Sequence, residues 1–302
     1  MGLYMQTRAG FASAMLRSPS ARREYAKVKE QTAAMLDRFG LTALARSRAG
    51  ELPAGQQRIV EIARARMAAP RLLLLGALGG LQGAIGWWMV SSGLVEGMTR
   101  VASYRLATHL GLAFVILGLI TWYVLLLGRS EADLLRARRA GEPKLFSMST
   151  GLMHLAFVQI LIGALVAGID AGRTYTGWPT MGGEWIPALI WDPALGWRNF
   201  FENPALVQFV HRMVAYLLAI FAVVVFLRGH RSPHPVTRGA YGVMIAAVAV
   251  QVFLGIMNVI HASPLGLALT HQLGAVVLFA LIIRARHHAR FPHETSVRGT
   301  IR

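Results

Sequence analysis

The sequence contains no cysteine, which excludes disulfides, zinc–thiolate centres and iron–sulfur clusters. Charge is scarce. Asp, Glu, Lys and Arg make up 15% of the 302 residues, whereas a soluble domain carries about 25%. Acid is scarcer still, with 14 Asp and Glu against 31 Lys and Arg and a formal net charge of +17. No G-x-x-x-x-G-K-[ST] phosphate loop occurs anywhere, so nothing in the chain can cradle ATP phosphates in that way. No N-terminal signal peptide is visible, because the first seventy or so residues are polar and of mixed charge.

What the chain has in quantity is apolar surface, at 55% hydrophobic residues. The Lys and Arg fall in short segments between apolar runs. That pattern reads as membrane topology and argues against a nucleic-acid partner. Six runs are long enough to span a bilayer: 72–90, 106–127, 148–168, 205–227, 240–260 and 264–283. The expected fold is an all-α, polytopic membrane helix bundle (residues 72–302) behind a cytoplasmic helical segment (residues 1–71). In that segment, residues 21–39 and 51–67 read as helices, with Gly40 as a stop. The N-terminal segment and the stretches 129–144, 228–238 and 284–302 are rich in Arg and Lys. Placing all of them in the cytoplasm puts both termini inside. The second, fourth and sixth spans then enter from the outer face, and His109, His211 and His271 each lie within about two turns of that entry.

A histidine at that depth is costly unless something pairs with it. His211 and His271, at matching depth on two spans, suggest one metal-centred ligand held between them, and haem suits two neutral imidazoles. Copper, a proton relay and two histidines hydrogen-bonded to carbonyls are the alternatives. Arg212, beside His211, is placed to pair with a propionate. A repeat accompanies the histidines: Gln82-x-x-x-Gly86, Gln159-x-x-x-Gly163 and Gln251-x-x-x-Gly255 sit on the odd-numbered spans. A small residue one turn after a polar one suits close helix contact. His154, His230, His234, His261, His287, His288 and His293 read as solvated or interfacial. The outer loop 169–204, rich in Gly, Pro and Trp, reads as a lid over the helix ends.

Two resemblances follow. Residues 12–75 are similar to a piece of a branched-chain amino-acid ABC-transporter ATPase, on Leu52 to Arg58 (signature loop) and Leu72 to Leu75 (the strand before Walker B). Gly76-Ala77 stands where that family has Asp-Glu, so the segment reads as a fused remnant without ATP chemistry. Residues 76–302 resemble the haem A synthase family on Leu81–Val90, Tyr104–Leu110, Ala167–Pro179, Trp197–Asn203, Val207–Arg212 and Ala268–Gln272. That resemblance implies oxidation of the haem O methyl group to the formyl of haem A for cytochrome oxidase. It implies haem b on His211 and His271, with iron as the ligated metal, and His109 in the substrate-haem site. It also implies a haem O-supplying farnesyltransferase and an electron donor as partners, and a bacterial inner membrane with the haem sites towards the periplasm. Another copy of the chain, in a homo-oligomer, is a further expected partner. The family's first two helices carry a Glu-x-x-His-Arg motif that this sequence does not contain. The expectation is therefore an impaired enzyme or, alternatively, an inactive haem b-binding membrane protein.

Overall fold

The structure, a computed structural model, describes residues 54–94 and 100–293 together with scattered positions between 23 and 44. The chain divides into two compact units, Met1–Ala77 and Leu78–Arg302. In the first, Arg23, Ala26, Glu30, Ala33, Ala34, Asp37 and Arg38 are helical. Gly40 follows at φ 65° and its N–H donates to the Asp37 carbonyl at 2.9 Å. A left-handed residue just past a helix is where glycine is favoured. Most of the transporter-like stretch lies outside the described residues. Leu72 to Leu75, whose resemblance is to a strand, is helical.

The long helices are α1 (Ala54–Ser91), α2 (Ser103–Leu127), α4 (Pro143–Gly168), α6 (Pro204–His230), α7 (Pro235–Ile260) and α8 (Leu265–Arg290), with short α3 (Glu131–Arg139) and α5 (Asn199–Glu202) between them. Six segments are long and apolar enough to cross a membrane: Pro70–Ser91 of α1, and all of α2, α4, α6, α7 and α8. The protein is an all-α, multi-pass membrane protein.

The helices outrun the apolar runs, because a helix ends where its backbone hydrogen bonds end. Pro143, Pro204 and Pro235 begin α4, α6 and α7, a position where the missing N–H costs nothing. Asn203 caps α6, its Oδ1 accepting from the N–H groups of Ala205 and Leu206 at 2.9 and 3.2 Å. The basic stretch after α2 holds a helix of its own. Ser130 caps α3 by accepting from the Asp133 N–H at 3.2 Å, and its hydroxyl donates back to the Asp133 carboxylate at 2.5 Å.

Helices α4, α6, α7 and α8 form a ring in which α4 and α7 each pack against both α6 and α8. Thus α6 and α8 face each other across one diagonal. Helix α2 packs outside the ring against α4 and α8. The large, fully buried side chains of the apolar core concentrate in one half of this bundle, and Leu110 and Ile160 extend it to the level of the histidines. It draws Leu145 and Leu152 from the start of α4 and Leu218 and Val225 from the end of α6. Tyr241 and Met244 come from the start of α7, and Phe279 and Ile282 from the end of α8. Gly229 makes this end possible, since a Cβ there would lie 2.3 Å from Tyr241 Cγ. Tyr241 is fully buried, with its hydroxyl 2.5 Å from Ser149 Oγ. Large apolar side chains such as Val124, Leu217, Ile220 and Leu273 point outward, as lipid-facing positions require.

Candidate metal centre with three cradled histidines

The three histidines of the sequence pattern stand at the end of the bundle away from its largest core side chains. His109 comes six residues after Ser103, His211 seven after Pro204 and His271 six after Leu265. At about 1.5 Å per residue, each lies roughly 10 Å into its helix. All three are half-buried. His211 and His271 are on the diagonal helices α6 and α8, and His109 is on α2.

Each imidazole is held in the same way by the helix before it. Gln82 Nε2 lies 3.3 Å from both ring nitrogens of His109 and donates to its carbonyl at 3.1 Å. Gln159 Nε2 lies 3.1 and 3.2 Å from Nδ1 and Nε2 of His211 and donates to that carbonyl at 3.0 Å. Gln251 Nε2 lies 3.2 Å from His271 Nδ1 and donates to that carbonyl at 2.8 Å. One turn further on, a Cβ at Gly86 would stand 2.9 Å from Cε1 of His109. The corresponding distances are 3.1 Å from Gly163 to His211 and 3.2 Å from Gly255 to His271. The glycines therefore make room for a ring. The close contact expected of the Gln-x-x-x-Gly repeat is between glycine and imidazole. In all three glutamines Oε1 is buried without a partner.

This arrangement narrows the chemistry. Among the described residues no three His, Asp or Glu side chains converge to hold a metal ion. A copper or zinc site made of protein ligands alone needs more than two imidazoles. Haem iron needs only its two axial positions from the protein. An imidazole bound through Nε2 keeps a proton on Nδ1, and that N–H requires an acceptor. The side-chain amide of each cradle glutamine is the polar group within reach of Nδ1. The residues present fit the group.

Arg212 holds the loop 169–204. Its guanidinium donates to the carbonyls of Tyr175 at 2.9 Å, Gly177 at 2.9 Å and Thr180 at 3.3 Å. Three of its four terminal N–H groups are accounted for by these carbonyls, and Nε has no partner. Gln208 adds a bond to the Tyr175 carbonyl at 2.9 Å, and Trp178 Nε1 donates to the Tyr216 hydroxyl at 3.1 Å. Asn203 ties the far side of the loop down through Asn199 Oδ1 at 2.8 Å and the Leu189 carbonyl at 3.2 Å. Ser103 at the start of α2 donates to the Phe201 carbonyl at 3.2 Å. The loop is thus fastened across the starts of α2 and α6.

The remaining histidines divide. His154, His230 and His261 are exposed, as expected for solvated or lipid-facing groups. His287 and His288, expected to be solvated, are buried at 1% and 6% exposure. The His287 ring packs edge-on to Trp122 at 5.4 Å and near Phe291 at 5.2 Å. Hydropathy counts a histidine in a basic tail as wet, and it cannot see an aromatic wall supplied by α2.

Comparison with known proteins agrees with this geometry. Residues 54–283 match the family described as cytochrome oxidase assembly protein, a match that begins earlier than the resemblance expected from residue 76. Among curated proteins, the Heme A synthase of Paracoccus denitrificans is 83% identical over 233 residues, covering 77% of this chain and 61% of its own length. That of Roseobacter denitrificans is 60% identical over 234 residues, covering 76% of this chain and 61% of its own length. That of Cereibacter sphaeroides is 51% identical over 242 residues, covering 77% and 62%. The chain therefore spans about three-fifths of the length of these relatives. With the family match covering most of the chain, the protein belongs to the cytochrome oxidase assembly protein family.

Proposed function

We propose that the protein is a membrane oxidoreductase of haem A biosynthesis, acting on the methyl group of haem O to give the formyl of haem A. His211 and His271 hold a haem b, and His109 serves the substrate-haem side. The observation that carries this reading is the pair of glutamine-held imidazoles on diagonal helices, at the end of the bundle away from its largest core side chains. The identity to proteins named Heme A synthase supports it.

When bound, haem b supplies one-electron transfer through its iron. The rest falls to the chain. Gln159 and Gln251 hold His211 and His271 through Nε2, which lies at the ring and donates to each histidine's carbonyl. Gly163 and Gly255 keep the space beside each ring open. Arg212 anchors the loop that excludes water from the outer end. The basic segments lie on the cytoplasmic side of a bacterial inner membrane, which puts the histidine end towards the periplasm. A haem O-supplying farnesyltransferase and an electron donor complete the system, and a homo-oligomer is compatible with it.

The alternative reading is a haem b-binding protein without turnover. No Glu-x-x-His-Arg string occurs in the chain, and the related Gln208-x-x-His211-Arg212 belongs to the cofactor side. One experiment separates the two. Optical and EPR spectra of the purified protein and of His211→Ala are recorded beside conversion of haem O to haem A. A low-spin bis-imidazole signal lost in the variant, with haem A formed, supports the enzyme. The same signal without haem A supports the second reading. No haem in the parent refutes both.

A further inference from the structure

We propose that a cleft between the first turn of α4 and the last turn of α6 binds one anionic phospholipid. The cleft has a volume of about 280 Å³ and is lined by Lys144, Met148, Val224, Leu227, Arg228 and Arg231. It lies at the opposite end of the bundle from the three histidines and serves neither of the functions above.

Its wall has two parts. Lys144, Arg228 and Arg231 place three cations around one opening with no acid among the lining residues. Among the described residues no carboxylate pairs with any of the three. The nearest acid in sequence, Glu142, accepts instead from Ser232 Oγ at 2.6 Å. The start of α4 adds to the positive field. Glu142 at its N-cap makes no side-chain cap, and the partial positive charge of a helix N-terminus favours an anion near it. Three like charges around one cleft repel each other, and a phosphate group would offset that repulsion.

The other part of the wall is apolar and open. Val224 and Leu227 are 47% and 51% exposed and belong to a membrane-spanning segment. A free phosphate would leave this surface unused. A phospholipid fills both parts, with its phosphate among the cations and an acyl chain along Met148, Val224 and Leu227. The absence of any lining acid selects against zwitterionic headgroups, whose quaternary ammonium would face three cations. Basic pockets between membrane helices recognise acidic headgroups by this chemistry.

The test uses the full chain in nanodiscs of equal phosphatidylglycerol and phosphatidylcholine, with retained lipids counted by native mass spectrometry. The parent is expected to retain one phosphatidylglycerol in preference to phosphatidylcholine. Each of Lys144→Gln, Arg228→Gln and Arg231→Gln should lower that preference by about five-fold, at about 1 kcal/mol per cation near a membrane surface. Leu227→Trp keeps every charge but fills the cleft, and should also abolish retention. These positions are at the surface, and helical content by circular dichroism checks the fold. Unchanged retention in the glutamine variants overturns the proposal. Retention that survives Leu227→Trp shows diffuse attraction and also overturns it. Displacement of the lipid by excess inorganic phosphate in the parent would show a phosphate site instead.

Discussion

Replacing Gly163 by alanine tests the cradle without touching a ligand. The new Cβ would stand 3.1 Å from His211 Cε1 and 3.7 Å from Nδ1. A comfortable carbon–carbon contact is about 3.5–4.0 Å, so the ring must retreat by roughly 0.4–0.9 Å. The fold should bear this. Overpacking costs about 1–3 kcal/mol, and the loss of a helix-interior glycine returns about 0.5–1 kcal/mol. The ligand geometry should not bear it, because a metal constellation tolerates only about 0.5 Å of displacement. The expected result is a bundle that still unfolds cooperatively within several degrees of the parent, with the low-spin bis-imidazole EPR signal shifted or lost. Gly255→Ala, at 3.2 Å from His271, should act in the same sense and more mildly. Gly86→Ala crowds His109 at 2.9 Å and should leave that signal unchanged. Gly242→Ala, with nothing within 4 Å, is the control. A parent-like spectrum in both Gly163→Ala and Gly255→Ala would refute the reasoning, as would loss of the signal in the control.

Three further outcomes are expected. Arg212→Gln removes a charged donor from three loop carbonyls. At about 1.5–3 kcal/mol for a bond to a charged group, tryptic cleavage after the exposed Arg173 should accelerate by about ten-fold or more. Gly229→Ala drives a Cβ to 2.3 Å from Tyr241 Cγ in a ring that Ser149 holds in place. It should cost about 1–3 kcal/mol or more, read as a lower Tm with the haem spectrum unchanged. Asp133 is held below its ordinary value of 3.8, first by the Ser130 hydroxyl and then by Arg136. A depressed carboxyl stabilises the fold fully above its unfolded value and loses that effect as pH falls through the folded one. Protection factors of the α3 amides, corrected for the pH dependence of intrinsic exchange, should therefore fall below about pH 4, and Asp133→Asn should flatten that dependence.

The all-helical architecture was legible because apolar runs of about twenty residues admit few other folds. The histidines and the Gln-x-x-x-Gly repeat were legible as positions but only partly as roles. A period in sequence says that two residues share a helix face, and it says nothing of what the neighbouring helix inserts between them. The imidazole facing Gly163 comes from His211, across a long outer loop. The loop contacts of Arg212 were hidden for the same reason. Its partners are carbonyls of Tyr175, Gly177 and Thr180, and a backbone acceptor leaves no trace in residue type. Helix α3 was hidden because nine residues rich in charge read as a loop, although Ser130 and Asp133 carry a capping pattern. His287 and His288 were hidden by Trp122, which hydropathy does not place.

The distribution of packing ties these particulars together. A four-helix ring with large side chains along its whole length would close on itself and exclude any guest. Here large buried side chains such as Leu145, Leu218, Tyr241 and Phe279 concentrate in one half. In the other half glutamines, glycines and half-buried histidines stand beside Leu110 and Ile160. Such a half is poorer in apolar contacts by itself, and its buried Gln Oε1 atoms are unsatisfied. Both features are costs if the histidines serve only to join helices. A large apolar ligand between the imidazoles would supply the missing contacts. The same cradle recurs around His109, on a helix that packs against α4 and α8. The parsimonious account of three copies is therefore one chemistry used on both sides of the bundle.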